Sequence, residues 1–232
     1  MPFIISENIA DEDFESLFAI QYKAFSNQPA LKACYPGGHD EPAHSANVAR
    51  FIKVLGWKDS NVAAAKVVDE ETGEICAFAT MRVYDENPFP GAKDSEIHLP
   101  QVDAGIRRAV EWTFNTKNNR RRGFEALQLP GPYCLLQVLG TDPARQRQGA
   151  ATLLVEWAVR ISDEKGARTV VEASRDAEKY GLYAKQGFRT VDTHLYVDEE
   201  RFPGFDGMHV VTMVRGAVEN SAAGNVALRF LG

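Results

Sequence analysis

Hydrophobic and polar positions follow two different periods along the first half of the chain. Apolar residues return every three or four positions from near Asp11, over 43–57 and over 103–122, as they do on one face of a helix. The runs Val62–Val68 and Ile75–Tyr84 are apolar and β-branched, and a glycine-containing turn separates them, which is typical of a hairpin. This half is therefore predicted to form a strand at 3–9, a helix from 11 that ends at 27–29, helices at 43–57 and 103–122, and strands at 62–68 and 75–84.

The second half of the chain alternates strand and helix in short succession. Strands are predicted at 133–139, 168–173, 189–197 and 209–214, with a long helix ending at 165–166 and another helix at 176–186. This alternation indicates an α/β or α+β layered structure with at least one parallel strand pair. Because the tail after 215 is weakly patterned, residues 1–215 are predicted to form one domain with an insertion at about 85–132, and residues 216–232 are assigned no element.

Composition and charge argue against several classes of protein. The 232 residues are 44% hydrophobic and 25% charged, as in an ordinary globular chain, and no stretch reaches the roughly 18 consecutive apolar residues of a membrane span. The formal charge of −6 disfavours nucleic acid or an anionic membrane as a partner. The first residues lack the basic segment and long apolar run of a secretory signal, so we expect a cytoplasmic protein.

The cysteines and histidines indicate neither a disulfide framework nor a metal site. Cys34, Cys76 and Cys134 are an odd number and lie far apart, which is typical of buried, reduced thiols. There is no Cys-x-x-Cys, and the five histidines contain no pair at ligand spacing. We therefore expect no metal cofactor.

One segment carries a recognisable chemistry, and it runs from Leu139 to Leu154. An apolar strand enters a loop with two arginines, three very small residues follow at 149–151, and an amphipathic helix begins. No acidic residue occurs in the start of that helix before Glu156, so its main-chain N–H groups have no competing carboxylate. Small side chains let a phosphate approach those N–H groups closely, and the segment is interpreted as a phosphate-binding loop.

A purely structural alternative for this segment stays open at the level of sequence. Asp142 and Pro143 have the residue types of an N-cap and a first helical residue, which allows one unbroken helix up to Lys165. Gly149 would then lie mid-helix at a cost of about 1 kcal/mol relative to alanine. The loop is neither a Walker motif nor a dinucleotide fingerprint, because the required Gly-Lys-Ser/Thr and Gly-x-Gly-x-x-Gly patterns are missing.

Two motifs in the second half resemble those of the GNAT N-acetyltransferase superfamily. Residues 146–151 (Gln-Arg-Gln-Gly-Ala-Ala) fit the Gln/Arg-x-x-Gly-x-Gly/Ala signature of that family, and residues 183–188 (Tyr-Ala-Lys-Gln-Gly-Phe) resemble its Tyr-x-x-x-Gly-Phe. The clear resemblance covers about 134–191, with the strand at 169–173 between the motifs. It implies a mixed, mostly antiparallel central sheet with a splayed parallel strand pair and helices on both faces.

The resemblance also implies acetyl-CoA as co-substrate and a role for each position of the motifs. The diphosphate would be held by Gln146, Arg147, Gln148, Gly149, Ala150, Ala151 and Thr152. The pantetheine arm would pair, like an added strand, with Leu139, Gly140 and Thr141. Gly140 is where a bulge would be tolerated, because it lacks a Cβ. Many members carry an asparagine after the next strand, and Ser174 is the nearest polar substitute here.

The resemblance assigns one catalytic position, and the sequence leaves the base and the acceptor open. Tyr183 holds the family position of a general acid that protonates the leaving thiolate. Glu172, Asp192, His98 and His194 are candidate bases by residue type only, and deprotonation through water is equally compatible. The insertion at 85–132 is hypothesised to narrow the acceptor site and so to favour a small-molecule amine. A peptide or protein acceptor and a non-catalytic acyl-CoA sensor are the alternatives, and a homodimer stays open.

Overall fold

Seven strands form one sheet in the order β1-β2-β3-β4-β5-β7-β6. The computed structural model describes residues 3–40, 42–89, 97–99, 104–126, 131–175 and 181–216. The strands are β1 (Phe3–Ser6), β2 (Val62–Asp69), β3 (Ile75–Tyr84), β4 (Tyr133–Thr141), β5 (Arg168–Ala173), β6 (Arg189–Tyr196) and β7 (Met208–Arg215). The β4–β5 pair is parallel and the other five pairs are antiparallel, so the prediction of a mostly antiparallel sheet with one parallel pair is confirmed.

Helices cover both faces of this sheet. They are α1 (Asp13–Ala24), α2 (Pro29–Cys34), α3 (Ala43–Leu55), α4 (Ala104–Ala126) and α5 (Ala150–Glu164), with short 3₁₀ turns at Pro143–Arg145 and Ala184–Gln186. Side chains alternate between the two faces along a strand. Accordingly, Ala77 and Ala79 of β3 belong to the core that contains the buried side of α5, whereas Phe78 belongs to the core that contains α1 and α3. The two-faced arrangement predicted above is therefore confirmed.

Three elements differ from the sequence interpretation. Helix α1 ends at Ala24, shortly before the predicted end at 27–29, but Pro29 then starts the unpredicted helix α2, because its fixed φ suits the first position of a helix. Helix α4 continues through Gly123 to Ala126, so that glycine is not a stop signal. The helix predicted at 176–186 is wrong in its second part, since residues 181–183 form a turn and 184–186 a 3₁₀ turn, while 176–180 lie outside the described residues.

Strands β4 and β5 pair along only part of their length. Tyr133–Leu136 pair with Arg168–Val171, and beyond Leu136 strand β4 continues to Thr141 along β3 alone. The sheet is therefore splayed between β4 and β5 at their carboxyl ends, as the resemblance implied. The opening lies beside the start of the loop that leads from β4 to α5.

The bulge of β4 lies at Gln137, so its prediction at Gly140 was wrong. Leu136 is opposite Met81 and Val138 is opposite Thr80, which leaves Gln137 as the extra residue. Gly140 stays in register with Phe78, and a Cβ at 140 would lie 3.1 Å from a carbon of the Phe78 ring. The glycine is thus explained by the close approach of that ring.

The cysteines are free thiols, as their number and spacing predict, although Cys34 is not fully buried. Cys76 and Cys134 are buried, Cys34 is half-buried, and none of the three forms a disulfide. Among the described residues, no helix has both the length and the apolar character needed to cross a lipid bilayer. The same part of the chain brings together no group of three or more potential metal ligands.

Candidate active site

The segment between β4 and α5 is a loop and not a continuous helix. The Asp142 carboxylate accepts a hydrogen bond from the Ala144 N–H at 2.9 Å and caps a single 3₁₀ turn. Arg147 then has a φ of +64° and Gly149 a φ of +103°, both in the left-handed region, and α5 begins at Ala150. Two left-handed residues within three positions interrupt helical geometry. The alternative of one helix from Pro143 to Lys165 is therefore excluded.

The amino end of α5 is open to an anion. Its N-cap is Gly149, which has no side chain to bond the first N–H groups, and the first turn contains no acidic residue. The first N–H groups of a helix have no partner inside the helix. Ala150 is buried against the core while Gln148 and Gly149 are exposed, so the main chain here faces solvent beside small side chains. The arrangement can hold a diphosphate on main-chain N–H groups.

The two arginines of the loop have different surroundings. Arg145 does not turn toward the amino end of α5. Its guanidinium lies 3.1 Å from the Asp69 carboxylate and 2.9 Å from that of Glu74, in the β2–β3 hairpin. Arg147 is exposed at the left-handed position of the loop. Arg147 is therefore the better-placed of the two arginines for a bound anion.

The other positions assigned to the cofactor lie at the same edge of the sheet. Leu139, Gly140 and Thr141 form the last part of β4, where the side toward β5 has no strand partner among the described residues. The Thr141 hydroxyl oxygen is buried and has no hydrogen-bond partner within the described part of the chain. Ser174 is exposed and directly follows β5. Because β4 and β5 are parallel, their carboxyl ends bring these residues together with the loop.

Tyr183 lies in the core that also contains Ala150 and Leu154 of α5. The side chain is 6% exposed, and its ring packs edge-to-face on Phe188 with centroids 5.7 Å apart. Its carbonyl accepts hydrogen bonds from the N–H groups of Gln186 and Phe188. Burial raises the pKa of the Tyr183 hydroxyl to about 12, so the group is protonated at any physiological pH. It can donate a hydrogen bond, but its raised pKa makes full transfer of the proton unfavourable.

Helix α4 neutralises the two carboxylates that were candidate bases. Lys117 reaches Glu172 of β5 at 2.6 Å, and Arg120 holds Asp192 of β6 through two hydrogen bonds of 2.9 and 3.1 Å. Neither ion pair was predicted from the sequence. A usable signal was present, since a carboxylate inside an apolar strand needs a cationic partner.

The candidate histidines have different exposures. Asp192, His194 and Tyr196 alternate along β6, so their side chains share the face that α4 covers. Burial, together with the charge of Arg120, lowers the pKa of His194 below its usual value. The ring is therefore uncharged at neutral pH and able to accept a proton. His98, by contrast, is exposed.

The amino-terminal half of α4 forms a wall at the splayed end of the sheet. Val110 is fully buried with Ala30 and Ala33 of α2, and Phe205 and Met208 pack against the same cluster. The loop between β6 and β7, residues 197–207, thereby contacts the insertion. On the outer side, a groove of about 430 Å³ is lined by Trp112 and Phe202, whose rings lie 5.6 Å apart, and by polar residues of α4.

A second groove reaches the first residues of the loop between β4 and α5, at Asp142, Ala144 and Arg145. It has a volume of about 700 Å³ and runs between α1 and the β2–β3 hairpin. Its lining charges are paired, for example Lys66 with Asp13 at 2.5 Å and Lys23 with Asp142 at 3.2 Å. Because this groove includes neither Tyr183 nor the start of α5, the chemistry is not expected there.

Comparison with known proteins gives a family and a fold. A family model described as the acetyltransferase (GNAT) family matches residues 28–188. No curated protein matches the sequence.

Solved structures of similar fold include three insect proteins. A protein of the mosquito Aedes aegypti assigned as arylalkylamine N-acetyltransferase 7 is 16% identical with a TM-score of 0.63, over 92% of this chain and 87% of that one. Arylalkylamine N-acetyltransferase 2 of Aedes aegypti is 16% identical with a TM-score of 0.60, over 93% and 99%. The polyamine N-acetyltransferase of Drosophila melanogaster, which forms N-acetylagmatine, is 13% identical with a TM-score of 0.60, over 93% and 100%. At these identities the similarity shows the fold.

Proposed function

Because this chain belongs to the GNAT acetyltransferase family, we propose that it transfers an acetyl group from acetyl-CoA to the primary amine of a small molecule. The observation that carries this proposal is the loop before α5. Two left-handed residues, an uncapped helix start and the absence of acidic side chains occur directly after a strand that has left its parallel neighbour. Each feature has a use in binding a coenzyme A thioester, and a simple β-α connection needs none of them.

The residues present fit acetyl-CoA at this edge of the sheet. The N–H groups of Gln146–Thr152 would bind the diphosphate, and the unpaired side of Leu139–Thr141 would bind the pantetheine amides as an added strand. The buried, unpartnered hydroxyl of Thr141 supports this placement, since a bound amide would satisfy it. The role of Ser174 is proposed only on its position at the end of β5.

Acetyl-CoA would supply an acetyl thioester for direct attack in a ternary complex. A C–N bond forms to the acceptor amine, the C–S bond breaks, the amine loses a proton and the sulfur gains one. Tyr183 would donate a hydrogen bond to the sulfur as negative charge develops on it. Uncharged His194 lies two strands from β5, about 10 Å, so it would receive the amine's proton through water.

The wall formed by α4 supports a small acceptor over a protein tail. Val110 packs with α2, and Phe205 of the loop at 197–207 packs against the same cluster, so α4 would bound the acceptor side of the site. The structural neighbours named above are acetyltransferases of aryl-alkyl amines and polyamines, which agrees with a small amine. Replacing residues 85–132 by a short turn should then extend activity to peptides. An unchanged acceptor preference would contradict the proposal that α4 limits the size of the acceptor.

Turnover separates the proposal from its alternatives. Release of free thiol from acetyl-CoA would be followed with phenylethylamine, agmatine and putrescine, and with a peptide bearing a free N-terminus and a lysine. We expect thiol release with at least one small amine and none with the peptide. Turnover with the peptide alone would support a protein acetyltransferase. Thermal protection by coenzyme A without turnover of any acceptor would support a sensor.

A further inference from the structure

Gln137 is a residue of strand β4 that pairs with neither β3 nor β5. It is the bulged residue opposite β3, because Leu136 pairs with Met81 and Val138 with Thr80. It is also the first residue of β4 beyond the parallel pairing with β5, which ends at Leu136. Bulges beside active sites commonly re-aim a side chain. The position marks the inner end of the splay.

The side chain at this point has an unused hydrogen-bonding atom. Gln137 is half-buried, and its Oε1 is buried without a hydrogen-bond partner in the described part of the chain. Buried polar atoms are nearly always hydrogen-bonded, so an unpartnered one in a native structure requires an explanation. An amide oxygen only accepts hydrogen bonds, and the missing partner is therefore a donor.

The position along β4 identifies which ligand group supplies that donor. This step rests on the proposed function, in which the pantetheine arm lies beside Leu139–Thr141. Gln137 is two residues further into the sheet than Leu139, about 7 Å at the rise of a strand, and so lies at the reacting end of the arm. A thioester has no N–H or O–H group. The incoming amine is the group at this place that can donate.

We infer that Gln137 binds the acceptor, accepting a hydrogen bond from the amine N–H through its Oε1. A primary amine has two N–H groups, so one can bond Gln137 while the lone pair faces the thioester carbonyl carbon. The bond strengthens as the nitrogen becomes positively charged on attack. The amide neither takes nor gives a proton, and Gln137 is thus a residue that binds and orients the acceptor amine.

The test compares Gln137→Met, which keeps the length without the amide, with Gln137→Glu, which keeps an acceptor oxygen. Kinetics would be measured with the small amine that the wild type turns over fastest. For Gln137→Met we expect the KM for that amine to rise about tenfold, or 1.4 kcal/mol, with the KM for acetyl-CoA unchanged. For Gln137→Glu we expect the amine KM to stay within about threefold of wild type, because a carboxylate also accepts from the amine.

A neighbouring residue provides the matched control. Thr80 is fully buried opposite Val138, and its hydroxyl also lacks a partner among the described residues. Thr80→Val and Gln137→Met should both raise the melting temperature of the unliganded protein by about 2–4 °C, since each removes an unsatisfied buried group. Only Gln137→Met should raise the amine KM.

Three results would overturn the inference, and they differ from failure of the proposed function. An unchanged amine KM in Gln137→Met would leave the glutamine without a role in the acceptor site. A fall in kcat for both Gln137 variants at constant amine KM would mean that the Gln137 Nε2 donates a hydrogen bond to the thioester carbonyl oxygen instead. A raised KM for acetyl-CoA would place the amide on the cofactor. If the wild type turns over no amine, the proposed function fails and this inference with it.

Discussion

Removal of the Tyr183 hydroxyl tests whether this side chain delivers a proton or a hydrogen bond. Tyr183→Phe keeps the ring that packs on Phe188 and deletes one oxygen. Burial raises the pKa of this phenol to about 12, whereas a free thiol has a pKa of about 8.5. Full transfer to a thiolate is therefore uphill by about 3.5 pH units, or about 5 kcal/mol. The structure thus changes the role expected for Tyr183 from a proton donor to a hydrogen-bond donor.

The size and place of the kinetic effect follow from that role. A hydrogen bond to a charged atom contributes about 1.5–3 kcal/mol, so kcat should fall roughly 10- to 150-fold in Tyr183→Phe. The KM for acetyl-CoA should not change, because the sulfur carries charge only as the C–S bond breaks. Since the hydroxyl stays protonated below pH 12, the ratio of wild-type to variant kcat should be constant from pH 6.5 to 10.5.

Thiol release measured at each pH would decide the question. The control is Tyr84→Phe, which removes a hydroxyl beside Tyr133 at the opposite end of β4 and should change kcat less than about twofold. The reasoning is refuted if the ratio for Tyr183→Phe falls with an apparent pKa between 8 and 10. A loss beyond a thousandfold would also refute it, because a hydrogen bond alone does not supply that much.

Three further outcomes are expected. Gly149→Ala and Gly73→Ala both place a Cβ at positive φ in open space, so each should lower the free energy of unfolding by about 1 kcal/mol. Only Gly149→Ala should also lose the thermal protection that coenzyme A gives the wild type. Equal protection of both variants would contradict the loop before α5 as the binding site. Lys117→Met should lower the free energy of unfolding, measured by urea denaturation, by about 3 kcal/mol, because it leaves Glu172 charged and largely buried. Adding Glu172→Leu should restore most of that free energy. No restoration in the double variant would mean that the two residues are not energetically coupled. Burial raises the pKa of Cys134 to about 11, so at pH 8 only about 0.1% of this thiol is ionised. Iodoacetamide should therefore label Cys134 only after unfolding. Labelling of Cys134 in the folded protein would be the contrary result.

The local parts of the site could be predicted from the sequence. The loop before α5 depends on neighbouring residues, and Gly149 with two alanines after it favoured a helix start there over one unbroken helix from Pro143. Strand β5 has the predicted bounds 168–173, because a short apolar β-branched run between a glycine and a polar turn admits few alternatives. The opening of the parallel strand pair at this place was expected only from the resemblance to the GNAT family, and the pairing of β4 with β5 confirms it.

The parts that depend on tertiary contacts could not be predicted. The bulge at Gln137 arises from the register between β3 and β4, and no residue type near it marks the extra position. The ion pairs Lys117–Glu172 and Arg120–Asp192 join segments 55 and 72 residues apart. Helix α2 was missed because a proline after a helical stretch ends one helix or starts another according to what it packs against.

The four residue pairs between β4 and β5 affect how the two parts of the sheet are held together. The sheet consists of two blocks, β1 to β4 and β5 with β7 and β6, that share only a short main-chain seam. Helix α5 contacts all five strands from β1 to β5 and so packs across the β4–β5 boundary. Side-chain packing under α5 therefore joins the two blocks in addition to the short hydrogen-bond ladder, and substitutions on the buried side of α5 act on both blocks at once.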